Sequence, residues 1–387
     1  MKVFQDITVS RTYDIVSGGD VSLAAHRLSD SAEFKIINEE IEVLHSFSIT
    51  GSGMRKIIFE KETELFHVVF NSTLYKIDKT GTIVFEDPEF FSSLGNLFVG
   101  VDYVLAPDGG YFICGTIASN GRAFISRVDA SGDQLFRKVY VLDLDGLNTF
   151  TSGLIEGQEI VVAGARASGD EGDQDKLFLV KYDFDGNLVS EFVHETGVDY
   201  FSETGNNKIF GRDLIPSWNG VDYIYGVGPS LAISGTALSE VTRINLSDSA
   251  LTSTELNFDR ENYLAGSGGT LPGGIQSGPN RELFSVGTGM IRLQNGELFG
   301  AVNNREDQSD RQSSTTQSSF QTVFLSTARG YVFKISSNTS APDYQWIDRN
   351  VEAQLSGVCQ LDSGRILCLG FTVGFNQERK LICLSYE

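Results

Sequence analysis

One pattern recurs along this chain: an apolar run, a basic residue, an apolar residue, then Asp or a stand-in. It reads Leu74-Tyr75-Lys76-Ile77-Asp78, Phe124-Ile125-Ser126-Arg127-Val128-Asp129 and Leu179-Val180-Lys181-Tyr182-Asp183. Weaker copies are Val241-Thr242-Arg243-Ile244-Asn245 and Val332-Phe333-Lys334-Ile335-Ser336, with degenerate ones at Phe34-Lys35-Ile36-Ile37 and Ile382-Cys383-Leu384-Ser385. A repeat constrains a fold more than any single motif. Each copy is one supersecondary unit that buries its apolar surface only against its neighbours.

The best copies run on into a turn and another strand. Asp78-Lys79-Thr80-Gly81 precedes Ile83-Val84-Phe85, Asp129 to Gly132 precedes Gln134-Leu135-Phe136, and Asp183 to Gly186 precedes Leu188-Val189. Asp opening and Gly closing a short connection is turn chemistry, because the carboxylate accepts backbone N–H groups and Gly takes positive φ. Upstream lies a second hairpin, clearest at Tyr103 to Gly115 around Pro107-Asp108-Gly109-Gly110, and repeated at Ile155 to Gly164 and Leu361 to Gly370. Two hairpins make four strands, and no 3.6-residue period competes. A repeated four-stranded unit of about 40–50 residues predicts an all-β fold, a β-propeller.

The run Asp108-Gly109-Gly110-Tyr111-Phe112-Ile113-Cys114-Gly115, followed by Phe124 to Asp129 and Gly132, resembles the "DGGY…G…KxDxxG" repeats of bacterial β-propeller proteins, which are akin to the WD-repeat and kelch classes. The likeness is fullest over residues 103–195, partial over 10–100 and faint over 209–350. It implies a fold and no activity.

Six basic positions, Lys35, Lys76, Arg127, Lys181, Arg243 and Lys334, mark six units, and Val351 to Glu387 makes a seventh that stops after its third strand. Val3 to Val9 alternates as a strand should and can supply the missing fourth. The expectation is a single propeller over 1–387 with seven four-stranded blades, at 10–50, 52–92, 103–145, 149–197, 209–260, 280–348 and 351–387 plus 3–9. Six or eight blades are the alternatives, since 91 residues separate Arg243 from Lys334.

Charge narrows the partners. With 30 Lys and Arg against 51 Asp and Glu, the net charge of −21 argues against nucleic acid and against an anionic membrane surface. A hydrophobic fraction of 41% excludes wholesale disorder. The apolar runs are strand length, too short to span a bilayer. Met1 to Asp6 is not followed by the apolar stretch of a signal peptide, so the reading expects a cytoplasmic or particle-assembled protein, extracellular only if a leader was removed. Cys114, Cys359, Cys368 and Cys383 each sit in an apolar run and read as small buried hydrophobes, ahead of a Cys359–Cys368 bridge or a metal site.

In a propeller, connections between strands one and two and between three and four share one side. Here these are tight. The long insertions, Ala167 to Asp175, Gly197 to Lys208, Asn262 to Asn280 and Asn303 to Phe320, fall in the connections of the opposite side. Loops on a rigid scaffold carry binding, so that elaborated face is the expected site. Its candidates are Asp170, Glu171, Asp173 and Asp175, the turn-flanking Trp218, and Arg305 and Arg311 of the polar arm Asn303 to Gln317. Calcium at Asp170–Asp175 is an alternative to a solvated acidic loop. No other cofactor is expected: the four histidines are not spaced as metal ligands, and the Gly-Gly pairs lack the strand–loop–helix setting of a phosphate cradle.

The function these features favour is a non-catalytic protein-interaction or structural module in a larger assembly, a virion or another machine. Two alternatives stand. One is glycan binding through aromatics at the channel mouth. The other is a propeller enzyme acting on glycans or small substrates, with carboxylates, Arg and Tyr drawn from several blades.

Overall fold

A computed structural model describes residues 2–8, 11–28, 30–51, 53–95, 98–142, 146–168, 176–195, 214–216, 222–232, 236–245, 250–255, 282–307, 329–335, 344–351, 353–372 and 380–387. The described elements are 28 strands and one 3₁₀ turn at Ser92–Leu94. An N-terminal strand β1 (Lys2–Thr8) precedes the first meander, β2 (Arg11–Ser17), β3 (Val21–Arg27), β4 (Ser31–Asn38) and β5 (Val43–Thr50). Next come β6 (Met54–Glu60), β7 (Leu65–Phe70), β8 (Thr73–Ile77) and β9 (Ile83–Asp87), then β10 (Phe98–Leu105), β11 (Tyr111–Ile117), β12 (Ala123–Val128) and β13 (Gln134–Tyr140). A fourth meander is β14 (Gly146–Glu156), β15 (Glu159–Ser168), β16 (Lys176–Asp183) and β17 (Leu188–Glu195). Then follow β18 (Leu214–Pro216), β19 (Asp222–Ala232), β20 (Thr236–Asn245) and β21 (Ala250–Glu255). They lead into β22 (Glu282–Arg292), β23 (Leu298–Asp307), β24 (Arg329–Ile335) and β25 (Tyr344–Val351), and the chain ends on β26 (Ala353–Gln360), β27 (Ile366–Thr372) and β28 (Lys380–Tyr386).

These strands form a single β-propeller. The first strand of each meander packs on the first strand of the next from β2 through β6, β10 and β14 to β18, and β22 packs on β26, which returns to β2. The last sheet runs β1-β28-β27-β26, so the N-terminal strand closes the ring by pairing antiparallel with β28.

The expected seven separate blades are corrected to six sheets, five of four strands and one of eight. The eight-stranded sheet has a local cause. Strand β21 pairs only with Glu240–Asn245 of β20, leaving the other end of that ten-residue strand open, and there Ala237 pairs in parallel with Phe284 of β22. Two further boundaries move. Asn303 to Asp307 are strand, paired with Glu282 to Val286, so the polar arm does not begin at Asn303. Ala167 and Ser168 likewise belong to β15.

Burial explains why the middle strands look as they do. Second strands such as β3 (VSLAAHR) and β11 (YFICGTI) are covered on both faces by neighbouring blades and are almost wholly buried. They therefore read as continuous apolar runs rather than alternating ones. The core is a ring of clusters between blades. Leu23, Phe34, Phe66 and Val68 join the first two sheets, Leu74, Phe90, Tyr111 and Phe124 the next pair, and Phe112, Phe150 and Phe178 the pair after.

The repeated Asp does in each turn what its chemistry suggests. The Oδ1 of Asp78 accepts the N–H groups of Thr80 and Thr82, that of Asp129 those of Ser131 and Asp133, and that of Asp183 those of Asp185 and Asn187. Gly81, Gly132 and Gly186 close these turns at φ of 85°, 87° and 80°. The Asp183 turn thus spends its carboxylate on its own backbone.

Candidate functional site

The repeated basic residue is a clamp. Arg127 donates to Asp108 Oδ2 at 2.6 Å and to the Phe184 carbonyl of the next blade at 2.6 Å, with its guanidinium over the rings of Phe112 and Phe184. Lys181 meets Glu156 at 3.1 Å and Lys334 meets Glu297 at 4.0 Å. In all three the third-strand cation reaches an acid at the turn between strands one and two. Lys35 instead meets Glu33 of its own strand at 2.6 Å, and Lys76 lies over the Phe85 ring.

Toward the axis, the first strands carry a one-residue irregularity: β2 at Thr12/Asp14, β6 at Met54/Lys56, β10 at Gly100/Asp102 and β14 at Phe150/Ser152. Such bulges re-aim the following side chain. Here they tie blades together. Buried Asp102 takes Lys56 Nζ at 2.8 Å from the blade before and the Gly153 N–H at 2.9 Å from the blade after. Nothing in the local sequence marks this pair, since Lys56 and Asp102 meet only once the ring is built.

Two histidines sit in similar interior settings. His67 Nδ1 lies 2.5 Å from the Tyr111 hydroxyl of the next blade, and Nε2 lies 3.1 Å from Glu60, out of line for a hydrogen bond. Burial, aided by Lys76 and opposed by Glu60, lowers its pKa to about 4. His26 faces Glu33 at 3.0 Å, and burial, aided by Lys35 and opposed by Glu33, lowers its pKa to about 4 as well. Both rings are neutral near pH 7. The four cysteines are free and buried, and burial raises the thiol pKa of Cys114, Cys359 and Cys368. Among the described residues no group of three or more His, Cys, Asp or Glu is arranged to hold a metal, and no helix is long and apolar enough to cross a membrane.

Of the candidates read from sequence, Asp170, Glu171, Asp173, Asp175, Trp218 and Arg311 lie outside the described residues. The four acids fall in the connection from β15 to β16, and Arg305 is in β23 opposite Phe284. Trp218 falls between β18 and β19, a first-to-second-strand connection, which by chain order groups it with the tight turns rather than with the acidic insertion.

What does distinguish the elaborated side is strand length. Strands β14 and β15 have 11 and 10 residues, β19 and β20 have 11 and 10, and β22 and β23 have 11 and 10. Strands β6 and β7 have 7 and 6, and β10 and β11 have 8 and 7. The tight turns stay level, so the excess rises on the opposite side, by about 10 Å for three residues.

No protein family matches the sequence, and no curated protein matches it. Among solved structures, the chain is similar to a protein of unknown function from Bacteroides caccae at 13% identity and TM-score 0.42, over 78% of this chain and 80% of that one. It is similar to a luciferin-regenerating enzyme at 10% identity and TM-score 0.45, over 100% and 94% of the two chains. It is also similar to the WD40 domain of Toxoplasma gondii coronin at 7% identity and TM-score 0.47, over 98% and 85%. All three scores are below 0.5, and the propeller assignment stands on the sheet topology.

Proposed function

We propose that the chain is a non-catalytic protein-interaction module, a component of a larger assembly, that meets its partners on the side where the long hairpins rise. The observation that carries this is the asymmetry of the ring: one side is closed by short turns whose polar groups bond to one another, and the other is extended by long strands in three consecutive meanders. A rigid scaffold with variable projections is the usual arrangement of a binding surface. The described contacts support the reading: His67 and Arg127 bridge neighbouring blades, and His26, Lys35, Lys181 and Lys334 are paired with acids of their own sheet. The acidic residues Asp170, Glu171, Asp173 and Asp175 fall in sequence between β15 and β16 and would steer basic or neutral partners toward that connection.

The test is cross-linking and isolation of the native protein, beside a variant with the four acids replaced by Asn or Gln. Partner association should slow and lose salt dependence in the variant, with the thermal midpoint unchanged. Partners that cross-link only to the tight-turn side would overturn the assignment of the face. Turnover of a glycan or small substrate by the purified chain would overturn the non-catalytic reading.

A further inference from the structure

The outermost strands of four successive blades share a defect that the repeat does not announce. After each third-to-fourth turn the ladder skips one residue. Ile37 pairs with Val43 but Ile36 with His45, and Ile77 pairs with Ile83 but Lys76 with Phe85. Val128 pairs with Gln134 but Arg127 with Phe136, and Tyr182 pairs with Leu188 but Lys181 with Ser190. The residues skipped are Leu44, Val84, Leu135 and Val189. Each is aliphatic and each is half exposed, at 55%, 53%, 53% and 50%.

A bulge on an edge strand has its own use, since it blunts the edge against pairing with another chain. That use needs no aliphatic side chain; Ser or Lys would serve better. Single exposed apolar residues are ordinary on any surface. Four at one register position, with exposed Val43, Ile83 and Leu188 beside them, form a pattern. The pattern is also continuous. In the second and fourth of these blades the third-to-fourth turn packs on the outer strand of the blade before: Gly81 lies against His45, and a Cβ on Gly186 would stand 2.8 Å from Phe136; in the third, Gly132 packs on Phe90 just beyond β9. Aliphatic knobs and turns therefore alternate around this arc of the rim. The four turns, residues 38–42, 78–82, 129–133 and 183–187, carry eight Asp or Glu and a single lysine, Lys79. Hydrogen bonds hold the carboxyls of Asp129 and Asp183 below the usual range, and at Asp78 they do so against burial, so these three stay charged.

We propose that this arc is a second interaction surface, separate from the long-hairpin side, and that it takes a protein segment in which aliphatic side chains alternate with Lys or Arg. The bulges exclude simple strand addition, so recognition falls to the side chains. The acidic turns select a cationic partner and disfavour a second copy of a chain of charge −21.

The experiment uses the full chain and three short synthetic peptides, alternating Leu-Lys, Ser-Lys and Leu-Glu, followed by fluorescence anisotropy at physiological salt. The Leu-Lys peptide should bind best. Combined L44S, V84S, L135S and V189S substitutions should weaken it about tenfold or more, and leave the Ser-Lys peptide unaffected. Equal binding of the Leu-Lys peptide to both proteins would overturn the proposal. So would its loss on neutralising Asp170, Glu171, Asp173 and Asp175, a result that would instead favour the long-hairpin side. If the combined variant does not fold, hydrogen exchange on the unaltered chain decides. Peptide must protect amides at 43–46, 83–87, 134–137 and 188–190; protection elsewhere alone refutes the rim. Self-association that the combined variant abolishes would overturn the choice of partner in favour of a second copy.

Discussion

Two arcs of the ring use the same turns and differ in almost everything else. From β2 to β13 the strands have five to eight residues, and the blades are tied across their interfaces by His67 to Tyr111, Lys56 to Asp102 and Lys79 to Asp20. From β14 to β25 six of the first, second and third strands reach ten or eleven residues, and two meanders share one sheet. The difference teaches that the turn grammar sets where a blade begins and ends on one side only. Asp and Gly fix the level of the tight turns, while nothing in the repeat limits growth on the far side. Among the described residues, ties between blades run through the short arc and on to Gly153 and Phe184, and long strands stand from β14 to β23.

The largest effect should come from opening the ring where the two ends of the chain meet. Removing Lys2–Thr8 strips β28 of its outer partner and breaks the pairing that joins the two ends of the chain. The melting temperature should fall by about 10 °C or more, with aggregation. A truncated chain that is monomeric and equally stable would show that neither arc depends on closure.

Next is the axial tie of the short arc. Asp102→Ala removes the buried acceptor of the Gly153 N–H and the carboxylate that meets half-exposed Lys56, and should cost about 2–3 kcal/mol in urea unfolding. Asp102→Asn keeps a carbonyl acceptor for Gly153 and should cost less. Equal losses would mean that the charge, not the hydrogen bond, holds the neighbouring blades.

How much of this could be read in advance depends on how local the cause is. The Asp78, Asp129 and Asp183 turns were legible because the acceptor, the donors and the glycine lie within five residues. Closure by β1 was legible from the alternation of Val3 to Val9 and the lack of a fourth strand after Tyr386. The shared sheet was not, because it turns on β21 covering only part of β20. Nor were the Asp102 tie and the rim knobs, since bulges leave no signature in composition and Lys56 reaches Asp102 only across a blade interface. The burial of His26 against Glu33 and of His67 against Glu60 likewise carried no local mark.

Those histidines sharpen the comparison through pH, because both belong to the short arc. Each is held neutral, with its pKa lowered from 6.5 to about 4. The unfolded chain therefore binds more protons than the folded one between those values. Stability should fall as pH drops from about 6.5 to about 4 and level off below, by up to about 3 kcal/mol for each ring. The lowered carboxyls of Asp78, Asp129 and Asp183 act below that window, since their stabilisation is lost as pH falls under 3.8. His67→Gln and His26→Gln should each flatten the slope of urea midpoint against pH between 6.5 and 4. An unchanged slope in both would place the acid sensitivity elsewhere in the ring.

The smallest effect compares one glycine from each arc. Gly132 in the short arc has φ 87° and Gly157 in the long arc has φ 63°, so alanine at either meets the same left-handed backbone penalty of about 1 kcal/mol. Their surroundings differ. A Cβ on Gly132 would lie 2.6 Å from the Phe90 carbonyl oxygen, a backbone atom fixed between two blades, whereas a Cβ on Gly157 meets nothing within 4 Å. Gly157→Ala should therefore cost about 1 kcal/mol, and Gly132→Ala about 1–2 kcal/mol more, because the Phe90 segment must move before the methyl fits. Thermal unfolding of the two variants side by side isolates that increment, since the backbone term is common to both. Equal losses would mean that Phe90 yields freely. The short arc would then owe its cohesion to its polar ties and not to close packing between blades.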